Sequence, residues 1–249
     1  MPGIVKTKAL VINALRWHES SKIVTLYSRE LGKIKVIARG ALRPKSPFGG
    51  MLETMNLIEA VISSKQSREL QILTEAALVN PFSQIRLQLD KLPYALSILE
   101  LINQTIEERQ ADEIFFDFSA RLLEAAADSE NPEIILWYFL LKLSSFLGFK
   151  PNISECSFCK NTSLDGRVYF NPRDGEIICG QCTSNMPAAF SLKQNELAVL
   201  QILQKYPYKK IHEFKLPAGI NKNFTSILLD YLNLHIERNI VLKSLELLI

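Results

Sequence analysis

Between residues 4 and 78 the chain runs in short apolar stretches, rich in β-branched residues, that partly alternate with polar positions and are separated by brief polar breaks. Five segments have this character: residues 4–17, 23–30, 32–40, 53–64 and 69–78. Side chains two apart on a strand share a face, so Ile34, Val36 and Ala38 set against Lys33, Lys35 and Arg39 mark a strand buried on one side. Only the connection after the third segment, ALRPKSPFGGML, is long. Five short strands with one long connection after the third predict a closed five-stranded barrel of the OB type, with an SH3-like barrel as the open alternative.

After Pro81 the period changes. Leu89, Leu92, Leu96, Leu99 and Ile102 recur at helical spacing, as do Phe115, Phe118, Leu122 and Ala126. A third helix should begin with Asn131 as cap and Pro132 in the first turn, and end near Gly148. Ser191 and Gln194 have the spacing of a capping box, and residues 224–240 carry a final helical pattern. The expected organisation is α+β and multidomain: an OB-fold DNA-binding domain over residues 1–80, then a helical domain over residues 81–249 that carries a four-cysteine, zinc-ribbon-like insertion at about residues 153–186.

Composition narrows the class. With 47% hydrophobic and 22% charged residues in 249, the chain can build a sizeable core. Its most apolar stretch, residues 134–149, is interrupted by Lys142 and two serines and is shorter than the roughly 20 residues that a bilayer span needs. The opening MPGIVKTKALVI lacks a sustained apolar region and a small-residue cleavage site, so a cytoplasmic protein is expected. The net charge of +3 is unevenly spread: residues 1–80 hold 12 basic against 6 acidic side chains, residues 81–149 hold 5 against 11, and the remainder 12 against 9. A basic head followed by an acidic segment suggests that the head meets a polyanion.

All four cysteines fall in two C-x-x-C pairs, Cys156/Cys159 and Cys179/Cys182. Two thiolates three residues apart can converge on one ion from a tight turn, and two such turns complete a closed tetrahedron, which is the spacing of one structural Zn2+. Between the pairs, RVYFNPRDGEII offers two short strands around a turn at Asp174 and Gly175, with a further turn at Asp165 and Gly166. His18, His212 and His235 are scattered and read as ordinary side chains. No glycine-rich phosphate loop, G-x-S-x-G or H-E-x-x-H is present, nothing singles out an acid/base pair, and no catalytic residue is expected.

Residues 31–46, LGKIKVIARGALRPKS, hold five basic side chains and no acidic one. Lys33, Lys35 and Arg39 should project from one face of the third strand, with Ile37 as its apolar member, and Arg43 and Lys45 should extend the row into the loop. Such a row can bind nucleic acid phosphates with strong salt dependence and little sequence preference. Trp17, Tyr27 and Phe48 could stack on bases, but a barrel of this size needs aromatics in its core, so each reads first as packing; Phe48, beside Gly49 and Gly50 in a loop expected to be exposed, is the alternative stacking candidate.

Taken together, ALVINALRWHESSKIVTLYSRELGKIKVIARGALRPKS, LLKLSSFLGFKPNISECSFC, YFNPRDGEIICGQC and LLDYLNLHIERNIVLKSLELL, in this order, resemble the bacterial RecO family of recombination and repair mediators over nearly the whole chain. Pro47 and Glu176 depart from the residues frequent there. The resemblance implies an N-terminal OB domain, a helical domain and an inserted zinc module. It implies binding of single- and double-stranded DNA, annealing of complementary strands and, with RecR, help to RecA in replacing the single-strand binding protein SSB. By the same analogy RecR would dock on the OB domain and the acidic SSB tail on the helical domain. The alternative is a zinc-containing, sequence-specific transcriptional regulator, although SLKQNELAVLQILQK presents few base-reading side chains on one side.

Overall fold

The computed structural model describes residues 3–164, 166–183, 190–220 and 224–248. It divides into two compact units, Met1–Ala127 with Leu242–Ile249, and Asp128–Val241.

The first unit is built on a closed five-stranded barrel in the order β1-β2-β3-β5-β4, from β1 (Gly3–Trp17), β2 (Ser21–Ser28), β3 (Gly32–Ala38), β4 (Leu57–Ser64) and β5 (Leu70–Asn80). This is the predicted OB-type closure, and its mark is the parallel pairing of β3 with β5 over Lys35–Leu70, Val36–Gln71 and Ile37–Ile72. β1 pairs with both β2 and β4, and the register shift between Val11 and Asn13 lets one long strand serve both partners. Alternation places Ala9, Val11, Val24, Leu26, Ile34, Val36, Ile58, Ala60 and Ile62 in the core. The fourth strand begins at Leu57, not at residue 53, because Met55 is buried with positive φ and the chain is still turning there.

The loop joining β3 to β4 is folded. Successive turns run from Arg43 N–H to Gly40 O (3.1 Å), Ser46 N–H to Arg43 O (3.0 Å) and Met51 N–H to Phe48 O (3.0 Å). Phe48 and Leu52 enter the barrel core, 5% and 1% exposed. Phe48 is therefore a core residue, not a stacking platform: a small barrel needs large apolar side chains to close its end. Gly49 and Gly50 beside it are exposed. Tyr27 is also buried, whereas Trp17 lies 44% exposed with its ring edge-on to His18.

Helices α1 (Ser83–Arg86), α2 (Leu92–Thr105) and α3 (Glu113–Asp128) follow. Leu89 precedes α2 and is exposed, so the apolar period began one turn late. In the same unit the Arg29 guanidinium reaches Asp117 on α3 (3.0 and 3.2 Å) and Glu113 (2.7 Å).

In the second unit α4 (Pro132–Phe146) has Asn131 at its cap position, Pro132 in the first turn and Gly148 just past its end at φ 95°. Strands β6 (Asn152–Cys156), β7 (Val168–Asn171), β8 (Glu176–Cys179) and β9 (Phe190–Leu192) form a sheet in the order β6-β8-β7-β9, with β7 and β8 as the expected antiparallel hairpin. Gly175 turns that hairpin at φ 69°; a Cβ there would stand 2.6 Å from the Tyr231 ring. Helices α5 (Gln194–Lys205) and α6 (Phe224–Ile236) pack on α4. The expected capping box lies two residues on. Ser191 belongs to β9, and it is Glu196 that accepts from the Lys193 N–H at 2.8 Å, because pairing with β7 keeps 190–192 extended. The turn at Asp165 and the end of the expected module, 184–186, lie outside the described residues. Among the described residues no helix is long and apolar enough to cross a membrane.

Candidate metal centre and nucleic-acid interface

The two C-x-x-C turns meet. Cys156 ends β6, Cys179 ends β8, and each second cysteine sits in the turn that follows. The ligand atoms of Cys156, Cys159, Cys179 and Cys182 all lie within 4.8 Å of one another. Cys159 Sγ and Cys179 Sγ are 3.8 Å apart. That matches the edge of a tetrahedron with metal–sulfur bonds of about 2.3 Å, the length zinc prefers. The Cys179 N–H points at Cys156 Sγ at 3.4 Å. Burial pushes the Cys156 thiol up, but backbone N–H groups of Cys159, Cys179 and Phe158 outweigh it and hold the thiol at about 6. Cys182 is pushed up to about 12, first by the Cys179 sulfur beside it and then by desolvation. A cluster that favours one thiolate and resists the next is a site whose negative charge a cation would relieve. Four thiols around one centre, shielded in part by burial, fit a closed structural metal site.

The basic residues occupy the barrel. Ile34, Val36 and Ala38 point inward, and Lys33, Lys35 and Ile37 point outward as alternation demands. Arg39 follows the last residue of β3 and is exposed, as are Arg43 and Lys45 in the folded loop. None of these three forms an ion pair among the described residues. The stem of Arg43 lies beside Gly40, which turns the chain at φ +72°.

Lys33 and Lys35 are engaged. The ammonium of Lys33 donates to Asn103 O at 2.6 Å, and Lys35 Nζ pairs with Glu108 Oε1 at 3.0 Å. Both partners belong to the end of α2 and the acidic segment after it, which runs alongside β3. Lys33 and Glu108 form a parallel bridge, the Arg109 N–H donates to Lys33 O at 2.9 Å, and the Arg109 guanidinium holds Gln66 O and Arg68 O in the β4–β5 turn. β5 pairs with β3 only from Lys35 onward, which leaves the edge at Lys33 open for this strap. Gly32 permits the approach, since a Cβ there would overlap Gln110 O. The five basic residues therefore divide: Arg39, Arg43 and Lys45 face solvent with no carboxylate partner among the described residues, while Lys33 and Lys35 border an acidic neighbour. The acid-rich composition of residues 81–149 hinted at such a neighbour, but nothing local said where it would lie.

His18 is exposed, His212 Nε2 is 3.7 Å from Glu213, and His235 stacks on Phe149 at 5.0 Å between ring centres; none belongs to the cysteine cluster.

Residues 1–82 match the family model for the recombination protein O N terminal, and residues 86–246 that for the recombination protein O C terminal. The chain is similar to the DNA repair protein RecO of Symbiobacterium thermophilum, 31% identical over 249 residues that cover 99% of this chain and 97% of the relative. It is 31% identical over 243 residues to that of Caldanaerobacter subterraneus, covering 96% of each. To that of Desulforamulus reducens it is 28% identical over 243 residues, 98% of this chain and 93% of the relative. A closed barrel, a helical region with a four-cysteine cluster, and two family matches spanning nearly all residues lead to one assignment: the chain belongs to the recombination protein O (RecO) family.

Proposed function

We propose that this protein is a non-enzymatic DNA-binding mediator of recombinational repair, acting in the cytoplasm at the nucleoid. It binds single- and double-stranded DNA, anneals complementary strands and, with RecR, helps load RecA on single strands coated with the single-strand binding protein SSB. The observation that carries this reading is the run of exposed cations, Arg39, Arg43 and Lys45, without an ion pair among the described residues, at and beyond the end of β3 in an OB-type barrel of a RecO-family chain.

The chemistry is electrostatic. Phosphates of an incoming strand take Arg39, Arg43 and Lys45 first and release condensed counterions; Lys33 and Lys35 join at the border next to Glu108. Two strands held on one cationic surface repel each other less, and base pairing supplies the sequence information. Because the loop is already held by Phe48, Leu52 and its turns, little ordering opposes binding.

Cys156, Cys159, Cys179 and Cys182 would hold one Zn2+, which when bound ties the two turns together and exposes no open coordination position. Its role is architectural.

The test is annealing of complementary strands coated with SSB, with and without this protein and RecR. Acceleration supports the reading. An unchanged rate, with no binding to either DNA form in a low-salt titration, removes it.

A further inference from the structure

The outer surface of the barrel carries an apolar row visible only through strand register. Leu15 on β1 pairs with Ile23 on β2, Ile23 with Ile37 on β3, and Ile37 with Ile72 on β5. Val24, Val36, Gln71 and Leu73 beside them in sequence are buried, so these four face outward; Leu15 is 60% exposed and the other three are partly exposed. Three steps between strands make a belt about 14 Å long. The next outward positions are polar on one side, at Asn13, Thr25 and Lys35, and on the other side are Trp17 and Ser21. An outward barrel position needs only a polar residue, so four aligned aliphatic side chains, one well exposed and three partly so, mark a contact surface.

Charge tells what fits it. The loop of Arg43 and Lys45 is tethered to this border, since the Leu42 N–H donates to Ser20 O at 2.9 Å between β1 and β2. Exposed cations, without an ion pair among the described residues, thus flank an exposed indole and an aliphatic belt. The complement is a chain that is anionic along its backbone and offers apolar flat faces beside it. A duplex hides those faces within its stack; a single strand presents them.

We propose that the bases of a single-stranded nucleic acid rest on Leu15, Ile23, Ile37 and Ile72, with Trp17 at the edge, while its phosphates lie along Arg39, Arg43 and Lys45. This rests on the DNA-binding reading above and adds to it: the belt, not the cations, separates single strands from duplexes.

Fluorescence anisotropy tests it with three probes of about 20 nucleotides, an oligothymidylate, an abasic strand of equal length and a blunt duplex. Leu15→Thr/Ile37→Thr should weaken oligothymidylate binding about tenfold and leave abasic and duplex binding unchanged, while Arg39→Ala/Arg43→Ala should weaken all three. Should the double variant fail to fold, Leu15→Thr alone decides, at about threefold. A folded belt variant that binds oligothymidylate like the parent overturns the proposal while the DNA-binding reading stands. A parent that binds none of the probes ends both. Belt variants that keep oligothymidylate but lose an acidic, apolar peptide that the parent binds would make this a protein-docking face, and the proposal would be wrong.

Discussion

Lys35 Nζ sits 3.0 Å from Glu108 Oε1, and the two residues are 73 positions apart in a chain that places a carboxylate against its own basic strand. On the proposed function, a phosphate arriving at Lys35 would compete with that carboxylate. Both side chains are about half exposed, so the pair is weak and screened by salt. Glu108→Gln should tighten single-strand binding about two- to fivefold at low salt and steepen its salt dependence by up to about one counterion. A titration in which the variant matches the parent at every salt concentration would show that Glu108 does not guard the strand.

Removing charge from the folded loop should act in the opposite direction. Arg39→Ala, Arg43→Ala and Lys45→Ala together should flatten the salt slope by about two to three counterions, across all sequences alike. Reversing charge at Lys35 and Arg39 should also weaken binding without unfolding the chain, since both are exposed. Unchanged binding by that double variant over a salt titration would place the DNA elsewhere.

The cysteine cluster should hold about one zinc ion per chain, measured by elemental analysis of purified protein. Stripping it with a chelator should lower the melting temperature, and Cys156→Ser should do more damage than Cys159→Ser, because Cys156 is buried where Cys159 is exposed. Folded, active protein without metal would refute a structural ion.

Tyr27 is wholly buried, and its hydroxyl has no hydrogen-bond partner among the described residues. Burial, and then the charge of Asp112, raise its pKa well above the ordinary phenol value. An unsatisfied buried hydroxyl costs more than it contributes, so Tyr27→Phe should stabilise the protein by about 1 kcal/mol in denaturant unfolding. A loss of stability of similar size would mean that the hydroxyl is satisfied in solution.

Gly175→Ala meets both a left-handed backbone and the Tyr231 ring. It should cost about 1–3 kcal/mol, because the positive φ strains an alanine and the Tyr231 ring, buried with its hydroxyl donated to Phe149 O, cannot move aside cheaply. Equal melting temperatures for parent and Gly175→Ala would contradict this.

Much of the architecture was legible because it is written in periods. Alternation at Ile34, Val36 and Ala38 marks a half-buried strand wherever it occurs, and Pro132 with Gly148 brackets a helix by local backbone preference. The two C-x-x-C pairs announce a metal cluster because the spacing is itself the geometry of a ligand turn. Phe48 shows where such reading stops: between two exposed glycines and a basic run its surroundings read as surface, yet the loop folds back and buries it. Ser191 shows the same limit at a helix start, where pairing with β7 overrides a local cap signal.

What the residues alone determined was the kind of each element: five strands, helices after Pro81, a four-thiol centre, and a basic run with no acid inside it. These depend on short-range periodicity and on the covalent reach between neighbours. Only the tertiary structure decided which cations stay uncompensated and which side chains share a row, because Glu108 reaches Lys35 and Leu15 aligns with Ile72 through strand pairing and chain return across long separations, which no local pattern encodes.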